Sequence, residues 1–126
     1  IYHSCHDGDS CKFTIPGVHP LLGKHIKVEV AGIDAPELEA GCARELRMAK
    51  QARDLMRSLL KEATKIDLIN ARRGDGFHLN AKVLVDGKDV AEILIGRELA
   101  ERYDGGASPA DWCFKKRSFG LEIPYP

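Results

Sequence analysis

His25-Ile26-Lys27-Val28-Glu29-Val30-Ala31 alternates strictly, with Ile26, Val28 and Val30 on one face and Lys27, Glu29 and Ala31 on the other. A period of two is that of a β-strand with one side in a core. The run leads directly into Ile33-Asp34-Ala35-Pro36-Glu37. Upstream, Lys12-Phe13-Thr14-Ile15 alternates as well, and Pro16-Gly17 and His19-Pro20 then break the pattern. The segment from Pro16 to Lys24 is therefore expected to be a surface loop. Downstream, from Cys42 to Ala63, Leu46, Ala49, Ala52 or Arg53, Met56, Leu59 and Leu60 recur at about 3.6 residues, the period of an amphipathic helix. The polar side of that helix is rich in Arg and Lys. Lys65–Asn70 and Leu79–Val85 read as strands around a turn at Arg73-Gly74-Asp75-Gly76. Asp86-Gly87 signals a tight turn, and Val90–Leu99 reads as a short apolar helix. Beyond Tyr103 the chain is expected to turn through Asp104–Gly106 and Ser108-Pro109, to make one helical turn near Trp112, and to end in a weakly ordered tail.

At 126 residues the chain suits one domain with a single core. Lys plus Arg and Asp plus Glu both number 19, so there is no overall positive charge to attract a polyanion, and any such binding must come from local patches. No apolar run reaches transmembrane length. The chain begins at Ile1 rather than Met, and a removed secretory leader is one explanation. Cys5, Cys11, Cys42 and Cys113 lack zinc-type spacing, and four cysteines permit three pairings. Cys5 and Cys11 could face each other across a hairpin. Cys42 and Cys113 would then tie the first helix to the tail, closing a long loop worth roughly 4 kcal/mol. Four reduced thiols in a cytosolic protein is the other reading. An oxidising, extracytoplasmic location (periplasmic or secreted) is the expectation.

Asp7-Gly8-Asp9-Ser10, Ile33-Asp34-Ala35-Pro36-Glu37 and Gly76-Phe77-His78 entering Ala81-Lys82-Val83-Leu84-Val85-Asp86-Gly87 occur in that order. Taken singly, the first is a good hairpin turn, and the second has the form of a helix N-cap followed by Pro and Glu. Together they resemble the staphylococcal-nuclease (thermonuclease) family over residues 5–104, with 105–126 a divergent tail. The resemblance implies a five-stranded OB-fold Greek-key β-barrel capped by helices, an α+β domain whose open face binds oligonucleotides or oligosaccharides in many proteins. It also implies a Ca²⁺-dependent phosphodiesterase, an endonuclease acting on DNA or RNA. Asp9, Asp34 and the Ala35 carbonyl would be the Ca²⁺ ligands, and Glu37 would position or deprotonate the attacking water.

The family's two phosphate-clamping arginines fall at Glu29, five residues before Asp34, and at His78, seven before Val85. Glu29 puts a negative charge where a phosphate must dock. Losing one electrostatic stabiliser of this kind costs about 10²–10³ in rate. Lys27 shares a strand face with Glu29, and Arg72 and Arg73 lie near the turn, so all three are candidate substrate cations. An ion pair between Lys27 and Glu29 is the simpler account of those two residues. The expectation is a monomeric, nuclease-like domain, not bound to a membrane, with greatly reduced or lost catalysis. The alternative is a non-catalytic binding module for nucleic acid, another polyanion or a protein.

Overall fold

The computed structural model describes residues 1–39, 41–74, 78–103, 111–116 and 122–124. Strands β1 (Tyr2–Asp7) and β2 (Ser10–Phe13) form an antiparallel hairpin. They are followed by α1 (Pro20–Gly23), β3 (Ile26–Val30), β4 (Ile33–Asp34) and the long helix α2 (Ala43–Glu62). Next come β5 (Ile66–Arg73), β6 (His78–Val85), β7 (Lys88–Asp89) and α3 (Val90–Gly96). The short strands β8 (Glu101–Arg102), β9 (Phe114–Lys116) and β10 (Glu122–Pro124) complete the described chain.

The main sheet runs β1-β2-β3-β6-β5, with β7 folded back on β6. Every neighbouring pair is antiparallel except β3 and β6, which are parallel. The result is a mixed α+β protein with a curled, half-barrel sheet and, among the described residues, three helices. No helix among the described residues is long and apolar enough to cross a membrane.

The core follows from the alternation. Ile26, Val28 and Val30 of β3 are buried beside Ala81, Val83 and Val85 of β6. α2 joins the same core with Ala52, Met56 and Leu60, Ala49 being buried on the same helix, and α3 adds Val90, Ala91 and Leu94. Leu46, which fits the helical period, lies at the exposed edge of that face (36 % accessible). α2 packs on the β1–β2 hairpin so closely that a Cβ on Gly8 would lie 2.7 Å from that of Ala52. Gly8 is thus dictated by contact with the helix, not by a positive φ in the turn. Asp86 and Gly87 both have positive φ (49° and 83°), as a two-residue hairpin between β6 and β7 requires. The Asp86 carboxylate also accepts the Thr64 and Lys65 N–H groups, fixing the entry to β5.

Several local expectations change. Helix α2 spans the expected segment, with Cys42 and Ala63 as its caps, but Asp34, which has the form of an N-cap in sequence, is held in β4 opposite Glu101 and caps no helix. The loop from Pro16 to Lys24 contains the single-turn α1, capped by the His19 imidazole. Arg72 and Arg73 belong to β5, which runs three residues further than expected, past a register shift near Asn70 (φ 53°), to Arg73. Trp112 and Cys113 form a turn, not a helical one, and beyond it β9 pairs with β10. Asp75–Phe77 and residues 104–110 lie outside the described residues. Both disulfides form, Cys5–Cys11 across the hairpin and Cys42–Cys113 from the α2 N-cap to the segment before β9.

Candidate functional site

At one end of the curled sheet the β1–β2 turn, the end of β3 and the segment after β4 surround a pocket of about 450 Å³. Asp7, Asp9, Glu29, Asp34 and Glu37 all line it, against a single lysine, Lys27. Four of these carboxylates come from the two acidic motifs, which are brought together by backbone bonds. The Val30 N–H donates to the Asp9 carbonyl (2.8 Å), and the Ala35 N–H donates to Asp9 Oδ2 (3.2 Å). Asp34 is held by the β4–β8 pairing, and the Trp112 indole N–H donates to its Oδ2 (3.3 Å). The Glu37 N–H donates to Glu45 Oε2 (3.1 Å), anchoring that residue to the first turn of α2.

The electrostatic consequence is a surplus of negative charge in a partly desolvated place. Burial pushes Asp9 up to about 8, aided by its hydrogen bond to Asp7 and by the charge on Asp7, and opposed by the Ala35 N–H. Glu37 is also raised, first by partial loss of water at the pocket wall and then by Asp7 and Asp34. Asp7 is buried, and its Oδ1 has no hydrogen-bond partner. Burying such an acceptor unpaired is costly. A divalent cation would relieve all three strains. By donor chemistry the set, all hard oxygens, fits Ca²⁺ or Mg²⁺ rather than a soft metal. Among the described residues, however, no three His, Cys, Asp or Glu side chains converge as a ready-made ion cage.

The two positions where arginines were expected approach each other diagonally across β3 and β6. Glu29 Oε1 lies 3.4 Å from Lys27 Nζ and 3.8 Å from His78 Nε2. Glu29 is thus bracketed by the Lys27 ammonium on its own strand and the His78 imidazole on β6, and the pairing with Lys27 matches the simpler reading of those residues. Arg72 and Arg73 stand opposite Asn80 and Leu79 on the outer part of β5, are exposed, and do not line the pocket. On α2, Arg53 and Arg57 pair with Asp54, and Arg57 Nη2 also donates to the Cys5 carbonyl.

Asp7, Asn80 and Trp112 belong to the site as well, although they were not among the candidates. Asp7 had a signal in the repeated acid of Asp7-Gly8-Asp9. For Trp112 the only signal was its position next to Cys113, whose bond to Cys42 carries it across the fold. No family model and no curated protein matches this chain.

Proposed function

We propose that this chain is a divergent staphylococcal-nuclease-like domain that retains the acidic mouth but has greatly reduced or lost phosphodiester cleavage. The fold supports this reading: three antiparallel strands, a helix, then two more long strands with the third and last parallel, an order suited to a five-stranded Greek-key barrel of the OB type. In this reading Asp9, Asp34 and Glu37 serve a Ca²⁺ ion and a water, and Asp7 supplies a further oxygen. Bound Ca²⁺ would neutralise charge on a phosphate. Glu37 has the raised basicity of a general base and lies exposed at the pocket rim, within reach of solvent.

The observation that carries the loss of catalysis is the Lys27–Glu29–His78 cluster. A carboxylate occupies the wall that a phosphate would approach, and the Lys27 ammonium and the His78 imidazole lie against that carboxylate. Neither lysine nor histidine offers the planar, always-charged fork of arginine. The two disulfides support an oxidising, extracytoplasmic setting. The natural ligand in this reading is nucleic acid, DNA or RNA, bound by a monomer.

The test is cleavage of single-stranded DNA and RNA in Ca²⁺ or EDTA by the wild type, by Glu29→Arg with His78→Arg, and by each with Glu37→Gln. The expected result is little or no wild-type cleavage and a gain of at least tenfold in the double variant, lost again with Glu37→Gln. Efficient wild-type cleavage that the arginines do not improve would overturn the loss of catalysis. A double variant that stays inactive, with no Ca²⁺ effect on thermal stability, would favour a binding module without a metal.

A further inference from the structure

Beside the acidic mouth, and sharing Lys27 and Ser10 with it, lies a second pocket of about 430 Å³. Its walls carry Lys12, Lys27, Arg57 and His6 with the hydroxyls of Ser4 and Ser10, and no carboxylate. The strand register explains this grouping. Lys12 of β2 stands directly opposite Lys27 of β3, and on its other side Lys12 faces Ser4 of β1. Lys27 in turn faces His78 of β6. Like charges directly opposite on neighbouring strands are destabilising. Arg57 reaches the same place from α2, held there by its bond to the Cys5 carbonyl (3.1 Å), and the Cys5–Cys11 disulfide stiffens the floor.

We propose that this pocket is an anion site that takes a phosphate group. Two lysines on directly opposed strand positions, an arginine fork and two hydroxyls line the pocket without a carboxylate among them. Although Lys27, Arg57 and His6 each touch a carboxylate outside it (Glu29, Asp54 and Glu39), Lys12 is in no ion pair among the described residues and faces the pocket as its uncompensated charge. A bound phosphate attracts both ammonium groups and so offsets the repulsion between Lys12 and Lys27. As a seat for a nucleic-acid backbone the pocket rests on the function proposed above; as an anion site it does not. In that fuller role the phosphate grip has moved one row along the sheet, away from Glu29 and towards Lys12, so that a strand crossing the mouth leaves one phosphate near the acidic cluster and a neighbouring one on the lysines.

The test uses the ¹⁵N-labelled full chain titrated with inorganic phosphate, alongside a fluorescein-labelled single-stranded DNA 12-mer followed by anisotropy in EDTA and in Ca²⁺. Lys12→Ala, Lys27→Ala and the double variant are compared with Lys88→Ala on β7, and unchanged amide spectra elsewhere report that each variant folds. Phosphate is expected to shift the amides around Lys12, Lys27 and Cys5 saturably. The double variant should weaken phosphate at least tenfold, with Lys88→Ala unchanged. For DNA in EDTA, loss of two lysine contacts lowers the slope of log affinity against log salt by about 1.4. Phosphate shifts elsewhere, or binding indifferent to both lysines, overturn the anion site. Oligonucleotide binding that needs Ca²⁺ but ignores the lysines overturns the site and leaves the nuclease-like reading standing. Binding of free phosphate without DNA keeps the site, assigns it to small phosphates and removes nucleic acid as the ligand.

Discussion

Lys27 and Glu29 sit two residues apart on the same face of β3, yet the rows that cross the sheet through them differ in kind. The row through Lys27 joins Lys12 and His78, and the row through Glu29 joins Ser10 and Asn80, with Asp7 beyond Ser10. Strand register alone, about 7 Å along one strand, separates a cationic strip from an acidic mouth. Net charge, which is zero here, conceals this completely. The difference teaches that one curled sheet offers two chemically opposed surfaces side by side, one suited to a hard cation and the other to an anion. A phosphodiester held by a metal needs both.

The comparison can be broken most forcefully at Glu37. If the acidic row holds the chemistry and the lysine row only grips, Glu37→Gln in the arginine-restored chain should cut cleavage by about 10²-fold or more while oligonucleotide anisotropy in EDTA is unchanged.

A second test separates the rows by pH. Asp9 keeps its proton up to about pH 8 in the folded chain but releases it near 3.8 when unfolded, so its contribution to stability is fully present below pH 4 and disappears as pH rises towards 8. Urea midpoints in EDTA should therefore fall from pH 5 to 8.5, less steeply for Asp9→Asn. Saturating Ca²⁺ should flatten the wild-type slope. No such change is expected for Lys12→Ala.

Gly8→Ala probes the packing beneath the mouth. The added methyl meets Ala52 and should cost about 1–3 kcal/mol by urea unfolding, partly recovered by Ala52→Gly. The smallest effect belongs to the cationic row. Lys12→Thr removes a like-charge pair and should raise stability by a few tenths of a kcal/mol at low salt, an increment that disappears near 0.5 M salt, where screening is short-ranged.

Much of this architecture is legible in the sequence because it is written in local period. Ile26, Val28 and Val30 announce the core face of β3, and Ala49, Ala52 and Met56 that of α2. Asp86-Gly87 names its turn. The acidic mouth is legible only from the order of its motifs, since Asp9 and Asp34 meet through long-range backbone bonds that no window of sequence contains. What stays hidden depends on register between distant strands or on a crosslink. The diagonal approach of Glu29 to His78 requires knowing that β3 and β6 run parallel in one particular alignment. The contact between Trp112 and Asp34 spans 78 residues and depends on where Cys113 is tied. The N-cap reading of Asp34 was locally sound and yielded to β4–β8 pairing, which takes Asp34 out of any helix.

Trp112 is the chain's sole tryptophan, and its indole N–H is bonded to a carboxylate of the mouth while the Cys42–Cys113 bond fixes its backbone. The protein therefore carries its own optical reporter. Any event that draws Asp34 towards an ion, or that reduces the bond holding Cys113, must alter the polarity around one indole. Intrinsic emission, with no label attached, can follow both.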